Sequence, residues 1–390
     1  MSRQLIGRSK DLLQLQNEGY DIEIRAGYLL VKDVPYVNAN GAIKLGTLIS
    51  ALCVSGDETI RPDTHVAYWT GEHPCHSNRQ KIDTISNPSP PQNLGNGIQA
   101  DFTFSAKADY RDYHHKMTTY IGRITGEARV IDATVSAQTY PVLPVEEAES
   151  VFCYLDTASS RIGTGALNER FSNQRIGIVG LGGTGSYVLD LAAKTCVREI
   201  HLFDGDVFSQ HNAFRAPGAA SIEELRAKPR KVAYLAAIYG KMRRGIHVHP
   251  YAIDEGTVGE LLGLDFVFIC MDSGKIKKAV VAALLDAEIP FVEVGMGLVR
   301  GNGNLSGLMR VTAGTSAVRD EILSKINFSE GETDENDYAT NIQIVELNAM
   351  NAALAVIRWK KIFGFYRDSA KAHSYGYSIA ANDMINEVEA

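Results

Sequence analysis

The stretch from Arg175 to Arg215, RIGIVGLGGTGSYVLDLAAKTCVREIHLFDGDVFSQHNAFR, constrains the fold more than any other part of this 390-residue chain. Ile176 to Val179 form an apolar run that ends in Gly180, Gly182, Gly183 and Gly185. An apolar helix pattern follows, and a second apolar run, Ile200 to Phe203, stops at Asp204. Strand, glycine turn, helix, strand and acid in that order make the first half of a nucleotide-binding βαβ unit. Glycines let backbone N–H groups approach a phosphate, and the helix that opens there turns its positive end toward it. An acid at the tip of the second strand is placed to accept from a ribose hydroxyl.

The length leaves room for two domains, each with its own core. With 39 Lys and Arg against 46 Asp and Glu, the net charge is −7, which argues against a general nucleic-acid or anionic-membrane surface. Cys53, Cys75, Cys153, Cys196 and Cys270 show no CxxC spacing. An odd count in a chain this long reads as reduced thiols. The first residues contain no long apolar run, so neither a signal peptide nor a membrane anchor is expected and the location read is cytoplasmic.

Residues 1–150 read as a smaller, β-rich (α+β) domain for substrate or partner recognition. A short helix pattern at Leu12, Leu13 and Leu15 precedes a hairpin from Asp21 to Val34 around Ala26 and Gly27. Further strands are expected at Thr64 to Trp69, Gln99 to Ser105, and Lys116 to Val130 with breaks at Gly122 and Gly126; Ser86 to Gly97 reads as a structureless loop. His65, His73, Cys75, His76, His114 and His115 invite a zinc reading, but no pair has metal-ligand spacing, and satisfied polar side chains explain them as well.

Residues 151–390 read as α/β: a Rossmann-like, mostly parallel sheet with helices on both faces and an antiparallel extension. VFCYL, from Val151, is taken as a strand, followed by a polar, helical lead-in up to Arg175. Helices are expected at Arg230 to Met242 and Lys275 to Leu285, and strands at Ile246 to Tyr251, Leu264 to Cys270 and Phe291 to Val294. A hairpin through GMGLVRGNGNLSGLMRVTAG, an acidic loop and a helix from Asn341 to Phe363 complete the pattern. That last helix is apolar on too many faces for a solvated element, so it belongs in the core or at a dimer interface.

A lone glycine turn serves many chemistries. Here it is joined by Asp206, Asn212, Arg215, Lys231 and Asp272, the last at the end of a later strand. With this set the chain from about residue 156 onward resembles the ThiF/MoeB-type adenylating domain, the fold shared with ubiquitin-activating enzymes. The N-terminal region resembles, more loosely, the uncharacterised domain that precedes ThiF domains in some bacterial proteins of ubiquitin-like conjugation operons.

The resemblance implies ATP-dependent adenylation of the C-terminal carboxylate of a ubiquitin-like or small protein, with pyrophosphate released. It implies that Gly180, Gly182, Gly183 and Gly185 line the nucleotide pocket and Asp204 holds the ribose, with Asp206 behind it. Asn212, Arg215 and Lys231 then surround the phosphates, and Asp272 binds Mg²⁺, a hard cation suited to oxygen ligands. Lys231 is preferred over Lys228 because it opens an apolar helix run. An arginine of the lead-in, Arg161 or alternatively Arg170, reaches the partner's triphosphate across a homodimer. The competing reading of each of these cations is a solvated charge, and Asp272 can also serve as a helix N-cap.

Two features of the family are missing: there are no paired CxxC motifs, and Glu293 to Ala390 contains no cysteine. Cys270 reads as a buried small apolar residue and Cys196 as a helix-end residue. The adenylate is therefore expected to pass directly to a second protein, a sulfur-transfer or conjugating-type partner. Less favoured are an oxyester on Ser306, Thr315 or Ser316 of the crossing loop, and use of Cys53 or Cys75. The rival functions are an NAD-dependent Rossmann oxidoreductase and a non-catalytic nucleotide-binding adaptor.

Overall fold

A computed structural model of the chain describes residues 2–145, 150–272, 274–301, 303–315, 319–328 and 343–387. It divides into two units, Met1–Leu143 and Pro144–Ala390.

In the first unit, helices α1 (Ser2–Arg8) and α2 (Lys10–Asn17) lead into strands β1 (Ile22–Arg25), β2 (Tyr28–Val37) and β3 (Ile43–Ala51). The β1–β2 turn has positive φ at both Ala26 and Gly27, the conformation that matches hairpin twist. After the short pair β4 (Val54–Ser55) and β5 (Glu58–Thr59) come β6 (Val66–Thr70), β7 (Ser86–Asn87), β8 (Gln92–Gly95), β9 (Ile98–Ala100) and β10 (Phe102–Ser105). The main sheet is antiparallel in the order β1-β2-β3-β6-β10-β7. The expected structureless loop from Ser86 to Gly97 is corrected: β7 pairs with β10, and β8 pairs with β9 across Asn96 and Gly97, both at positive φ. Asn-Gly is a strong two-residue hairpin signal, and it outweighs the prolines before it.

The larger correction is α3 (Tyr113–Ile131), a helix where strands are expected from Lys116 to Val130. Its buried residues, Tyr113, Lys116, Met117, Tyr120, Ile121, Ile124, Thr125 and Ala128, follow the helical period and pack into the sheet's core. The Asp112 side chain caps it by accepting from the His115 amide. Gly122 and Gly126 face open space, so they weaken the helix without breaking it. Four histidines of this unit are taken up by separate partners. His65 and His73 bond Ser105 and Ser86, while His76 and His114 pair with Glu127 and Glu18.

Lys116 is fully buried, and its ammonium donates to Ser50 Oγ and to the carbonyls of Thr64 and Val66. Burial pushes its pKa down to about 8 from the ordinary 10.5. The folded protein thus gives up this proton before the unfolded chain does. Between those two pH values the unfolded state binds more protons, so stability rises with pH. Urea midpoints followed by Trp69 fluorescence in a Trp359→Phe background should show this rise, and Lys116→Met should lack it.

The second unit opens with α4 (Thr157–Ile162) and α5 (Gly165–Asn168). The expected strand at Val151 is corrected: Phe152 and Tyr154 make only isolated bridges, and the Arg244 guanidinium takes the carbonyls of Ser150 and Phe152. The alternation β11 (Arg175–Val179), α6 (Gly183–Ala193), β12 (Glu199–Phe203), α7 (Gln210–Ala213), α8 (Ile222–Arg226), α9 (Lys231–Tyr239) and β13 (Ile246–His249) follows. Then come β14 (Phe266–Ile269), α10 (Gly274–Asp286), β15 (Phe291–Gly301), β16 (Asn304–Gly314) and α11 (Arg319–Lys325). Helix α12 (Val345–Ile362), β17 (Ser374–Ser378) and β18 (Asp383–Glu387) end the unit.

The sheet runs β13-β12-β11-β14-β15-β16-β17-β18, parallel from β13 to β15 and antiparallel beyond. This is the expected α/β class with its antiparallel extension. Successive residues feed opposite faces. Phe266 and Phe268 join a core with Val188, Leu189, Val356 and Trp359, whereas Val267 and Ile269 join one with Val280, Val281 and Leu284. Helix α12 lies in the first of these cores, where Trp359 Nε1 donates to Gln174. Its expected start at Asn341 lies outside the described residues. Among the described residues, no helix is long and apolar enough to cross a membrane.

Candidate active site

The strand order reverses beside β11: the chain first builds β12 and β13 on one side, then β14 and β15 on the other. Such a switch point opens a crevice at the carboxyl ends of the strands. Here it is a cleft of about 320 Å³, walled by the glycine turn, the ends of β12 and β14, the middle of β15 (Val294–Met296) and the start of α12.

Gly180 has φ +87°, and a Cβ there would sit 2.7 Å from the Cys270 carbonyl oxygen. Only glycine combines that conformation with that approach. Gly182 and Gly183 also face the cleft, where Gly183 packs against Asn348. Gly185 does not line the cleft; a Cβ on it would meet the Gly180 carbonyl at 1.9 Å, so it serves the packing of α6 onto the turn.

Asp204 is buried at the tip of β12. One carboxylate oxygen accepts from the Leu181 amide at 2.7 Å and the other from the Asp206 amide at 2.8 Å. Lys231, at the first turn of α9, is 6 % exposed; its ammonium lies 2.6 Å from Asp206 and 3.5 Å from Asp204. Lys228, by contrast, is exposed in a left-handed turn (φ +48°) and does not line the cleft. Arg215 lines it, and its Nε is buried with no hydrogen-bond partner. Besides burial, the charges of Arg215 and Lys231 hold the His211 imidazole below its usual range, which registers their convergence. Exposed Asp272 faces them from beyond β14.

Besides Gly185, three sequence-derived candidates fall elsewhere. Asn212 does not line the cleft; it is buried in the capping box of α7, its side-chain oxygen accepting from the Ser209 amide. Arg161 is exposed on α4. Arg170 donates to the carbonyls of Phe363 and Gly364, closing the end of α12. Among the hydroxyls, Ser306 is corrected from a crossing loop to strand β16, opposite Val299. Thr315 follows that strand and Ser316 lies outside the described residues. Cys270 packs against the apolar core, in line with the expectation, and also lines the cleft. Desolvation, Glu293 and Asp272 push its thiol up, so it is no ready nucleophile.

Sequence reasoning missed Gln343, Asn348 and Asn351. Asn348 accepts from Thr184, and its Nδ2 is left buried without a partner. Asn351 donates to the Gly295 carbonyl and leaves Oδ1 in the same state, as is Gln343 Oε1. Buried polar atoms in native folds are nearly all bonded, so orphans gathered in one cleft point to a polar ligand. The readable signal was a pair of asparagines three residues apart in the otherwise apolar stretch Leu347–Ile357 of α12.

A parallel sheet that reverses beside a glycine turn, with an acid at the next strand's tip, defines a doubly wound α/β unit of the dinucleotide-fold class. Within that class the chain belongs to the ThiF family, whose model matches residues 156–379. Residues 10–157 match a domain of unknown function, DUF6791. No curated protein matches the chain. Similar solved structures include E. coli MccB with MccA-N7isoASN, at 15% identity and TM-score 0.46 over 60% of this chain and 69% of that one. PaaA aligns at 13% identity and TM-score 0.47 over 69% and 82% of the two chains. E. coli MccB with ATP aligns at 15% identity and TM-score 0.44 over 57% and 65%.

Proposed function

We propose that this chain adenylates the C-terminal carboxylate of a small protein, of ubiquitin-like type, using ATP. A carboxylate oxygen bonds to the α-phosphorus, the bond to the bridging oxygen of the β-phosphate breaks, and pyrophosphate leaves with its electron pair. What carries the reading is the convergence of Arg215, Lys231 and the glycine-turn amides on one cleft that also holds Asp272. Such transfers need positioning and charge stabilisation more than covalent help.

Asp204 keeps free lone pairs for a ribose hydroxyl after its two amide contacts, since a carboxylate accepts about four hydrogen bonds. The turn amides and Lys231 hold the phosphates. The unpartnered Arg215 Nε meets the charge that builds on the departing pyrophosphate. Asn212 acts at one remove, fixing the turn of α7 that leads to Arg215. Asp272 fits a magnesium ion because an exposed carboxylate facing phosphate sites is the usual protein share of its shell. That ion would supply charge neutralisation on the phosphates. We propose further that the chain works as a homodimer, with Arg161 reaching the partner's nucleotide, and that residues 1–150 form a recognition domain for the substrate or a downstream partner.

The test is ATP–pyrophosphate exchange by the full chain, with a ubiquitin-like protein ending in Gly-Gly as probe, beside calorimetric titrations with ATP and NADH. ATP binding and probe-dependent exchange are expected. Tight NADH binding without ATP binding would overturn the reading in favour of an oxidoreductase. Asp272→Ala should raise the Mg²⁺ concentration that exchange requires by roughly tenfold or more, the scale expected for loss of a metal-holding group.

A further inference from the structure

The two outer parallel strands carry a histidine-rich face that the cleft does not use. In register, His201 of β12 lies beside His247 of β13, and Phe203 beside His249. The His201 ring stacks on His247 with centroids 4.7 Å apart, and His249 stacks on Phe203 at 4.1 Å.

Four contacts link Glu199, His201, His249, Tyr251 and Glu260, and two neutral imidazoles and a tyrosine supply only three protons, so one contact lacks a proton. Read from Glu260, it is the one at Glu199. Glu260 can only accept, so the Tyr251 hydroxyl spends its proton on it at 2.5 Å. The Tyr251 oxygen then accepts from His249 Nδ1 at 3.0 Å. Neutral His249 is left with a bare Nε2, which accepts from His201 Nδ1 at 3.1 Å. Neutral His201 in turn has a bare Nε2, and it faces a Glu199 carboxylate oxygen at 3.2 Å. In that direction a cation between these two acceptors completes the relay. A proton on His201 would answer the pair, but it gives no part to His247, whose ring nitrogen completes a three-ligand group within 4.8 Å.

We propose that Glu199, His201 and His247 bind a divalent transition-metal ion of the zinc type, with water as fourth ligand. Zinc bonds to nitrogen and oxygen of about 2.0–2.1 Å make the edge of a tetrahedron about 3.3–3.4 Å. The Glu199–His201 separation is already near that value. The His247 side chain is exposed, which gives the ion an entry path and the ring room to close in. His249, Tyr251 and Glu260 form the outer relay that fixes the tautomer of a metal-bound His201. An ion there would pin the edge strand β13 to β12, whose tip carries Asp204.

The test is titration of the chelator-treated full chain with ZnCl2, and with CoCl2 as a visible probe of tetrahedral coordination. One equivalent of zinc should bind. His247→Ala should weaken binding by roughly 100-fold and Tyr251→Phe by roughly tenfold, the range seen when supporting groups of a metal site are lost. Asp272→Ala should leave this equivalent in place, which separates the site from the nucleotide cleft. No zinc binding at micromolar concentration, wild-type affinity in His247→Ala, or loss of the equivalent in Asp272→Ala would each overturn the assignment. Because His247 is exposed, a circular dichroism spectrum suffices to show that its variant is folded.

Discussion

Arg215→Ala is expected to lower the rate of ATP–pyrophosphate exchange by roughly 10²–10³-fold, the scale measured when one preorganised donor to developing charge is removed. The two cleft cations are not equivalent. Lys231 already spends its ammonium on Asp206 and Asp204, so part of its charge is neutralised before any nucleotide arrives. Arg215 keeps a buried Nε with no partner, a donor that is desolvated in advance. Stabilisation that waits for the transition state raises the rate, whereas equal binding of both states does not. Arg215→Ala should therefore act mainly on the rate and Lys231→Ala more on ATP affinity. Arg215→Lys should recover little, since an ammonium cannot reproduce the guanidinium's planar donors. Thermal unfolding of Arg215→Ala should match wild type or exceed it, because an unsatisfied buried atom is removed. Exchange within about threefold of wild type would take Arg215 out of the reaction.

What was legible in the sequence is what short-range rules encode. The glycine turn needs positive φ at Gly180 and tight packing at Gly185, and both needs show as glycine within six residues. Lys231 stood out over Lys228 because helices begin where an apolar period begins, and the structure places Lys228 in the turn before that helix. Helix α3 was misread because Gly122 and Gly126 looked like strand breaks, although Tyr113, Met117, Tyr120 and Ile124 already held the helical period. Asn212 has the right spacing but is taken up by a capping box, a local need that spacing alone does not reveal. The orphaned atoms of Asn348 and Asn351, and the facing of Glu199 and His201 with His247, depend on strand register and helix docking. Those are long-range facts that residue order alone does not fix.

The same holds for a buried ion group, which carries the largest stability effect expected. Glu293, on β15, is fully buried, and its Oε1 lies 2.9 Å from Lys277 Nζ of α10. Its Oε2 is 3.6 Å from Arg310 Nη2 and has no hydrogen-bond partner. Lys277→Met should destabilise the second unit by about 3–5 kcal/mol, because it leaves a carboxylate buried with only that distant guanidinium. Lys277→Met combined with Glu293→Leu should recover most of the loss, since an apolar pair of similar volume often matches a buried ion pair. Urea midpoints of the two variants test this, and a loss below about 1 kcal/mol in Lys277→Met would show that Arg310 alone compensates Glu293. Cys270 gives an independent readout at the cleft floor. The Glu293 charge raises its thiol pKa and Lys277 lowers it. Glu293→Gln should therefore speed alkylation of Cys270 at a given pH, and Lys277→Met should slow it. If both variants alkylate at the wild-type rate, the Glu293–Lys277 pair does not set the field on the floor of the cleft.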